Sequence, residues 1–248
     1  FMSGLIILTG VFVTAFISGV FGMAGGLILM GILALVLPVS AAMVVHGVVQ
    51  SVSNGWRAIL HARWIDWRIL GIYLFGSGAA AALLVLATFE LSKPWLFIVL
   101  GLVPGVIWLP KRWVHFDAAR PSHAVACGFT VTGLNVVAGV SGPLLDVFFA
   151  DTARDRRCIV ATKAATQVVS HVVKIAYYVL PALAAESLPQ AQWLLVAAPL
   201  AIIGTTLGAR FLAMMSDIQF RQWTKWIVSA IGLVYIARGL IILTGVAP

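Results

Sequence analysis

Charge is scarce in this sequence: 10% of its residues are charged, and 8 acids face 16 lysines and arginines. An ordinary soluble domain carries about 25% charged residues, so a solvated globular surface is excluded. Cysteine is nearly absent. Cys127 and Cys158 fit neither a metal-ligand spacing nor a disulfide framework, and no motif calls for a metal or a cofactor. The apolar runs do not alternate in ten-residue segments, which excludes a transmembrane β-barrel. The apolar start from Phe1 has no basic n-region and no clear cleavage site, so it reads as mature structure rather than a signal peptide.

What is present is apolar. Hydrophobic residues make up 62% of the chain and mean hydropathy is +1.06, which identifies a polytopic membrane protein with no separate soluble domain. At about 20 residues per span, 248 residues accommodate seven or eight passes. The net charge of +8 does not point to nucleic acid, because the basic residues lie mostly in short loops beside apolar segments.

Two of these apolar segments carry a polar line. The first is His46-Gly-Val-Val-Gln50-Ser-Val-Ser53-Asn54-Gly-Trp-Arg57, and the second is Lys163-Ala-Ala-Thr-Gln167-Val-Val-Ser170-His171-Val-Val-Lys174. A constant offset of 117 carries His46 to Lys163, Gln50 to Gln167, Ser53 to Ser170, Asn54 to His171 and Arg57 to Lys174. On a helix these positions share an arc of about 100°. A charged residue at the centre of a spanning helix costs about 2.5–3.5 kcal/mol in lipid, so the two stripes are expected to face each other across a protein interior or a watery cavity.

Glycine clusters repeat with the same offset. Residues 4–21 form a first apolar helix that ends in Gly22-Met-Ala-Gly25-Gly26, before a run at 27–37 too short to span and closed by Pro38; Gly139-Val-Ser141-Gly142-Pro143 repeats the event. Such a cluster reads as a helix break or a re-entrant tip, tolerable at depth only where protein or water shields the backbone. Three spans complete each half: 42–61, 67–88 and 94–110, then 158–179, 191–213 and 221–244. Later in the chain the offset becomes 128, relating Gly76 to Gly204 and Trp95 to Trp223.

Loop charge sets the orientation. His61, Arg63 and Arg68, then Lys111, Arg112 and Arg120, then Arg154, Arg156 and Arg157, then Arg210 and Arg221 mark cytoplasmic loops, whereas 38–41 and 180–190 carry no Lys or Arg. The expected fold is therefore an all-α polytopic membrane protein of two inverted repeats, 1–120 and 121–248. Each repeat holds a glycine-broken, re-entrant segment plus three transmembrane helices, with both termini outside. A first segment that crosses fully is the alternative. Inverted repeats with broken helices place a transporter's site at the repeat interface near mid-membrane.

The glycine motifs Gly22-Met-Ala-Gly25-Gly26 and Gly139-Val-Ser141-Gly142, with the polar helices that follow them, resemble the TauE/SafE family of sulfite and sulfonate exporters. The resemblance covers nearly the whole chain. It implies transport of small sulfur-containing anions, such as sulfite, sulfoacetate or related organosulfonates, across a bacterial inner membrane. Two positions depart from a duplicated motif: Pro143 stands where a further glycine would complete the second cluster, and Asp146 has Leu29 as its counterpart.

The candidate substrate site comprises His46, Gln50, Asn54, Arg57, Lys163, Gln167, His171, Lys174 and Ser141, between glycine breaks at Gly22, Gly25, Gly26, Gly139 and Gly142. Its balance is cationic, which suits an anion: arginine offers a planar fork, lysine a compact charge and the amides replace lost water. Amides at the half-helix starts, Leu27 and Leu144, add the favourable end of a helix dipole. Against this stands snorkelling of Arg57, His61, Lys163 and Lys174 to an interface. For Gln50, Asn54, Gln167 and His171 the alternative is interhelical hydrogen bonding, and for the glycines it is close helix packing.

Two rival functions are a passive anion channel and an intramembrane serine protease. Gly139-Val-Ser141-Gly142 resembles the Gly-x-Ser-Gly of rhomboid proteases, with His171 as the base, but Ala24 stands opposite Ser141 in the other repeat. His46, His171 and Asp146 are the intramembrane side chains of a type able to exchange a proton, and Asp146 with His171 are the candidates for proton coupling. A uniport driven by membrane potential is the alternative.

Overall fold

The structure, a computed structural model, describes residues 2–21, 23–87, 89–110, 115–212, 214 and 217–245. Among them there is no strand. The helices are α1 (Met2–Phe21), α2 (Met23–Val36), α3 (Val39–Leu60), α4 (Trp67–Ala87) and α5 (Lys93–Leu102), which continues as a 3-10 segment over Val103–Trp108. Then follow α6 (Pro121–Ala138), α7 (Gly142–Phe149), α8 (Arg156–Ala184), α9 (Ala191–Leu212) and α10 (Asp217–Leu243).

The boundaries follow from local chemistry. Pro38, with φ −58°, precedes α3, where a residue without an N–H loses nothing. Gly139 ends α6 at φ +80°, the left-handed conformation that terminates helices and favours glycine. Pro143 sits in the first turn of α7, and Asp155 caps α8 by accepting from the Arg157 N–H at 2.8 Å.

Several boundaries differ from the sequence expectation, and within the expected span 94–110 the α-helix gives way to the 3-10 segment after Leu102. Gly25 and Gly26 lie inside the first turns of α2 rather than before it. A Cβ on Gly25 would collide with Thr14 O and the Ser18 N–H, so this glycine lets α2 lie against α1. Gly22 lies outside the described residues. In addition, α8 runs through Pro181 to Ala184, past the expected end at 179, because a proline near a helix end forfeits little of the ladder.

Glycine also sets the long-helix pairs. Gly19, Gly204 and Gly208 bring α1 onto α9, Gly76 and Gly128 bring α4 onto α6, and Gly101 and Gly232 bring α5 onto α10, all at backbone contact. At the centre α3 packs on α8 in antiparallel sense, Gly47 against Ile175 and Gly55 beside Val168.

Burial is reversed relative to a soluble protein. Phe75, Leu86, Leu180 and Leu195 are all over 70% exposed, while His46, Gln50, Asn54 and Lys174 are buried. Among the described residues four helical stretches are long and apolar enough to cross a membrane: Trp67–Ala87, Arg156–Ala184, Ala191–Phe211 and Trp223–Leu243. Gly4–Val20, Ala24–Val36 and Lys93–Trp108 are shorter apolar helices. The 22-residue α3 is in neither group, since its polar stripe lowers its hydropathy. The chain is a multi-pass membrane protein.

Candidate functional site

The C-terminal end of α6 leaves carbonyls without helical partners, and α8 supplies donors for them. Tyr178 donates to Val136 O at 3.1 Å, and Lys174 donates to Gly139 O at 2.8 Å. The Lys174 ammonium also meets His46 Nδ1 at 2.7 Å and Asn135 Oδ1 at 3.4 Å. It is fully buried, so it does not snorkel. Cationic groups are favoured at helix C-termini, and Gly139 O and Asn135 Oδ1 are acceptors for two of its protons.

His46 extends this network to the first half. Its Nε2 lies 2.9 Å from Gly26 O in α2, and its ring meets that of His171 edge-on at 5.5 Å between centroids. His171 Nδ1 lies 3.2 Å from Asn135 Nδ2. One buried polar chain therefore links α2, α3, α6 and α8.

Beside it lies a cavity of about 30 Å³, walled by Ser18 and Gly26, by His46, Gln50 and Arg57 of α3, by Val140–Gly142, and by Gln167 and His171 of α8. Both glycine-bearing segments and both polar stripes thus contribute to one space. Among the described residues no carboxylate lines it. Among the described residues Ser141 and Gln167 make no side-chain hydrogen bond to protein, and neither does His171 Nε2. Arg57 Nη2 donates to Ser18 O at 3.4 Å.

A second cavity of about 720 Å³ shares Ser18, Arg57, Gly142 and Gln167 with the first and widens past Lys163 and Asp146 to His61, Arg156 and Arg210. The small cavity is therefore the inner end of a basic vestibule. Lys163 and Asp146 form an ion pair in its wall, both partly exposed.

The candidate residues thus divide into three sets. His46, Gln50, Arg57, Ser141, Gln167, His171, Gly26 and Gly142 line the inner cavity, and Lys163 and Asp146 line the vestibule. Asn54, Lys174, Gly25 and Gly139 line neither. Asn54 donates to Gln50 O at 3.0 Å and to Gln50 Oε1 at 3.4 Å, holding that amide in place. Gly139 has no room for a Cβ beside Met30 and Met43.

Sequence reasoning passed over Ser18 and Asn135. They are related by the same offset of 117 and precede Gly22 and Gly139 by the same interval, so the signal was available. It also passed over a hydroxyl cluster behind the stripe, where Tyr73 lies 2.5 Å from Ser170 and 3.2 Å from Thr132, and Thr132 donates to Ser77 at 2.9 Å. The Ser141 hydroxyl has no hydrogen bond to His171, the contact that a nucleophile and its base require.

No curated protein sequence and no solved structure matches the chain. A family of membrane transporters described as Sulfite exporter TauE/SafE does match, over residues 6–235. Together with the apolar exterior and the cationic interior cavity, that match over nearly the full length shows that the chain belongs to the TauE/SafE sulfite exporter family.

Proposed function

We propose that the protein is a secondary transporter of small sulfur oxyanions, sulfite or the headgroup of an organosulfonate such as sulfoacetate, and that the anion is held in the inner cavity. The observation that carries this is an interior space with Arg57 in its wall, open hydrogen-bonding groups on Ser141, Gln167 and His171, and no carboxylate among the described residues. An anion needs a nearby cation and donors that replace its lost water. Gly142 adds the N-terminal end of α7. One water occupies roughly 10–15 Å³ on this scale, so about 30 Å³ accommodates a compact headgroup. Trp56, Leu60 and Val160 in the vestibule offer apolar walls to an organic remainder.

The architecture we infer is a pair of inverted repeats, 1–120 and 121–248, in a bacterial inner membrane. The antiparallel contacts of α3 with α8 and of α5 with α10 support it, since these are the helices that the offsets relate. The vestibule, lined by Arg156 at the start of α8 and Arg210 in the last turn of α9, then opens to the cytoplasm. Asp146 and His171 are the groups we propose for proton linkage.

The test is reconstitution in proteoliposomes with labelled sulfite and sulfoacetate, alongside thermal-shift measurements, since a ligand of the folded state stabilises it. Concentrative, saturable flux in wild type and its loss in Arg57→Gln is the expected result. Flux that neither saturates nor exceeds the electrochemical gradient would identify a channel. Absence of both stabilisation and flux for every sulfur anion would overturn the proposal.

A further inference from the structure

We propose that Lys174 is a positioning residue whose ammonium fixes the proton pattern of both histidines, so that His171 presents an N–H to the cavity while His46 is committed to the backbone of α2. The inference rests on anion binding in the inner cavity only for its last step.

An ammonium has three protons and accepts nothing, and Lys174 Nζ faces Gly139 O at 2.8 Å, His46 Nδ1 at 2.7 Å and Asn135 Oδ1 at 3.4 Å. His46 Nδ1 is therefore an acceptor and carries no proton. In a neutral ring the proton sits on Nε2, where Gly26 O accepts it at 2.9 Å. Both ring nitrogens of His46 are thus engaged, and it lines the cavity without a free N–H.

The second branch passes through an amide. The oxygen of Asn135 turned toward the ammonium leaves its NH₂ turned toward His171 Nδ1, at 3.2 Å. The reverse orientation would set two donors against each other at Lys174. His171 Nδ1 is therefore also an acceptor, and its proton sits on Nε2, for which the described residues supply no protein acceptor. An anion in the cavity supplies one. A single buried cation, itself outside the cavity wall, decides which histidine serves the substrate.

The experiment is ring-nitrogen NMR of the full chain in nanodiscs with ¹⁵N-labelled histidine, the signals assigned with His46→Gln and His171→Gln. In wild type both rings are expected to be neutral with the proton on Nε2, and added sulfite is expected to shift the His171 Nε2–H and leave that of His46. Asn135→Asp, nearly isosteric, puts only acceptors beside His171 Nδ1; it is expected to draw a proton there while His46 keeps its pattern. An Nδ1–H or an imidazolium at either ring in wild type would overturn the proposal. So would an unchanged His171 pattern in Asn135→Asp. If the proton patterns are as expected but neither sulfite nor sulfoacetate shifts a ring, anion binding at this cavity fails while the role of Lys174 is upheld.

Discussion

Arg57 and Lys174 reach corresponding places: Arg57 donates to Ser18 O near the end of α1, and Lys174 donates to Gly139 O at the end of α6. Each side chain leaves a polar-striped helix and crosses to the C-terminal end of the helix that precedes the glycine cluster, where free carbonyls favour a cation. The difference lies in what else they touch. Lys174 is sealed among three acceptors, whereas Arg57 is half-buried and lines both cavities.

This contrast predicts a division of labour. Lys174→Met strands buried acceptors, each costing about 1–3 kcal/mol when unsatisfied, and is expected to lower the thermal midpoint in nanodiscs markedly. Arg57→Gln is expected to leave that midpoint nearly unchanged and to weaken sulfite binding about ten- to a hundredfold, since a hydrogen bond to a charged group is worth about 1.5–3 kcal/mol. Equal loss of stability in both variants would contradict the assignment.

Gln167→Leu removes an amide that lines the cavity without a protein partner. A neutral hydrogen bond contributes about 0.5–1.5 kcal/mol, so anion affinity by titration should fall about two- to tenfold. No folded-state hydrogen bond is lost, and the thermal midpoint without ligand should not drop.

Two glycines on helices make an internal control for packing. A Cβ at Gly25 meets Thr14 O and the Ser18 N–H, both backbone, whereas a Cβ at Gly71 meets nothing within 4 Å. Gly25→Ala should destabilise the protein in detergent by forcing α2 off α1. Gly71→Ala should leave the midpoint unchanged or raise it, as alanine is the better helix former. Thermal unfolding of the two variants side by side checks this.

The offset of 117 made the stripes, their pairing and the glycine clusters legible in the sequence. Fixed spacing on a helix determines a face, and a polar face in an apolar chain must be shielded. Which helix end lies against a given side chain is a tertiary fact. Lys174 was therefore open to snorkelling on sequence grounds, although α8 continues to Ala184 and places it well inside. Ser18 and Asn135 share the offset of 117, but α1 and α6 scatter several small polar residues and no stripe singles these two out. Tyr73 and Thr132 meet Ser170 from α4 and α6, and Ser77 joins through Thr132, contacts between helices that no spacing within one helix announces.

The last prediction concerns the ion pair of Lys163 and Asp146 in the vestibule wall. Lys163 stands on α8 at the position that corresponds to His46 on α3, and each reaches toward the short helix of its half, Lys163 to Asp146 of α7 and His46 to Gly26 of α2. An anion passing through the vestibule competes with the Asp146 carboxylate for the lysine. Removing the carboxylate removes the competitor, so Asp146→Asn should bind sulfite several-fold more tightly than wild type. If the released carboxylate is also where a proton travels, the same variant loses coupling. With the membrane potential clamped and only the pH gradient varied, wild-type proteoliposomes are expected to accumulate the anion uphill. Asp146→Asn is expected to exchange it downhill without responding to the gradient. Wild-type flux that ignores the gradient would remove proton linkage and leave a potential-driven uniport, while gradient-driven accumulation in Asp146→Asn would transfer the coupling role to His171.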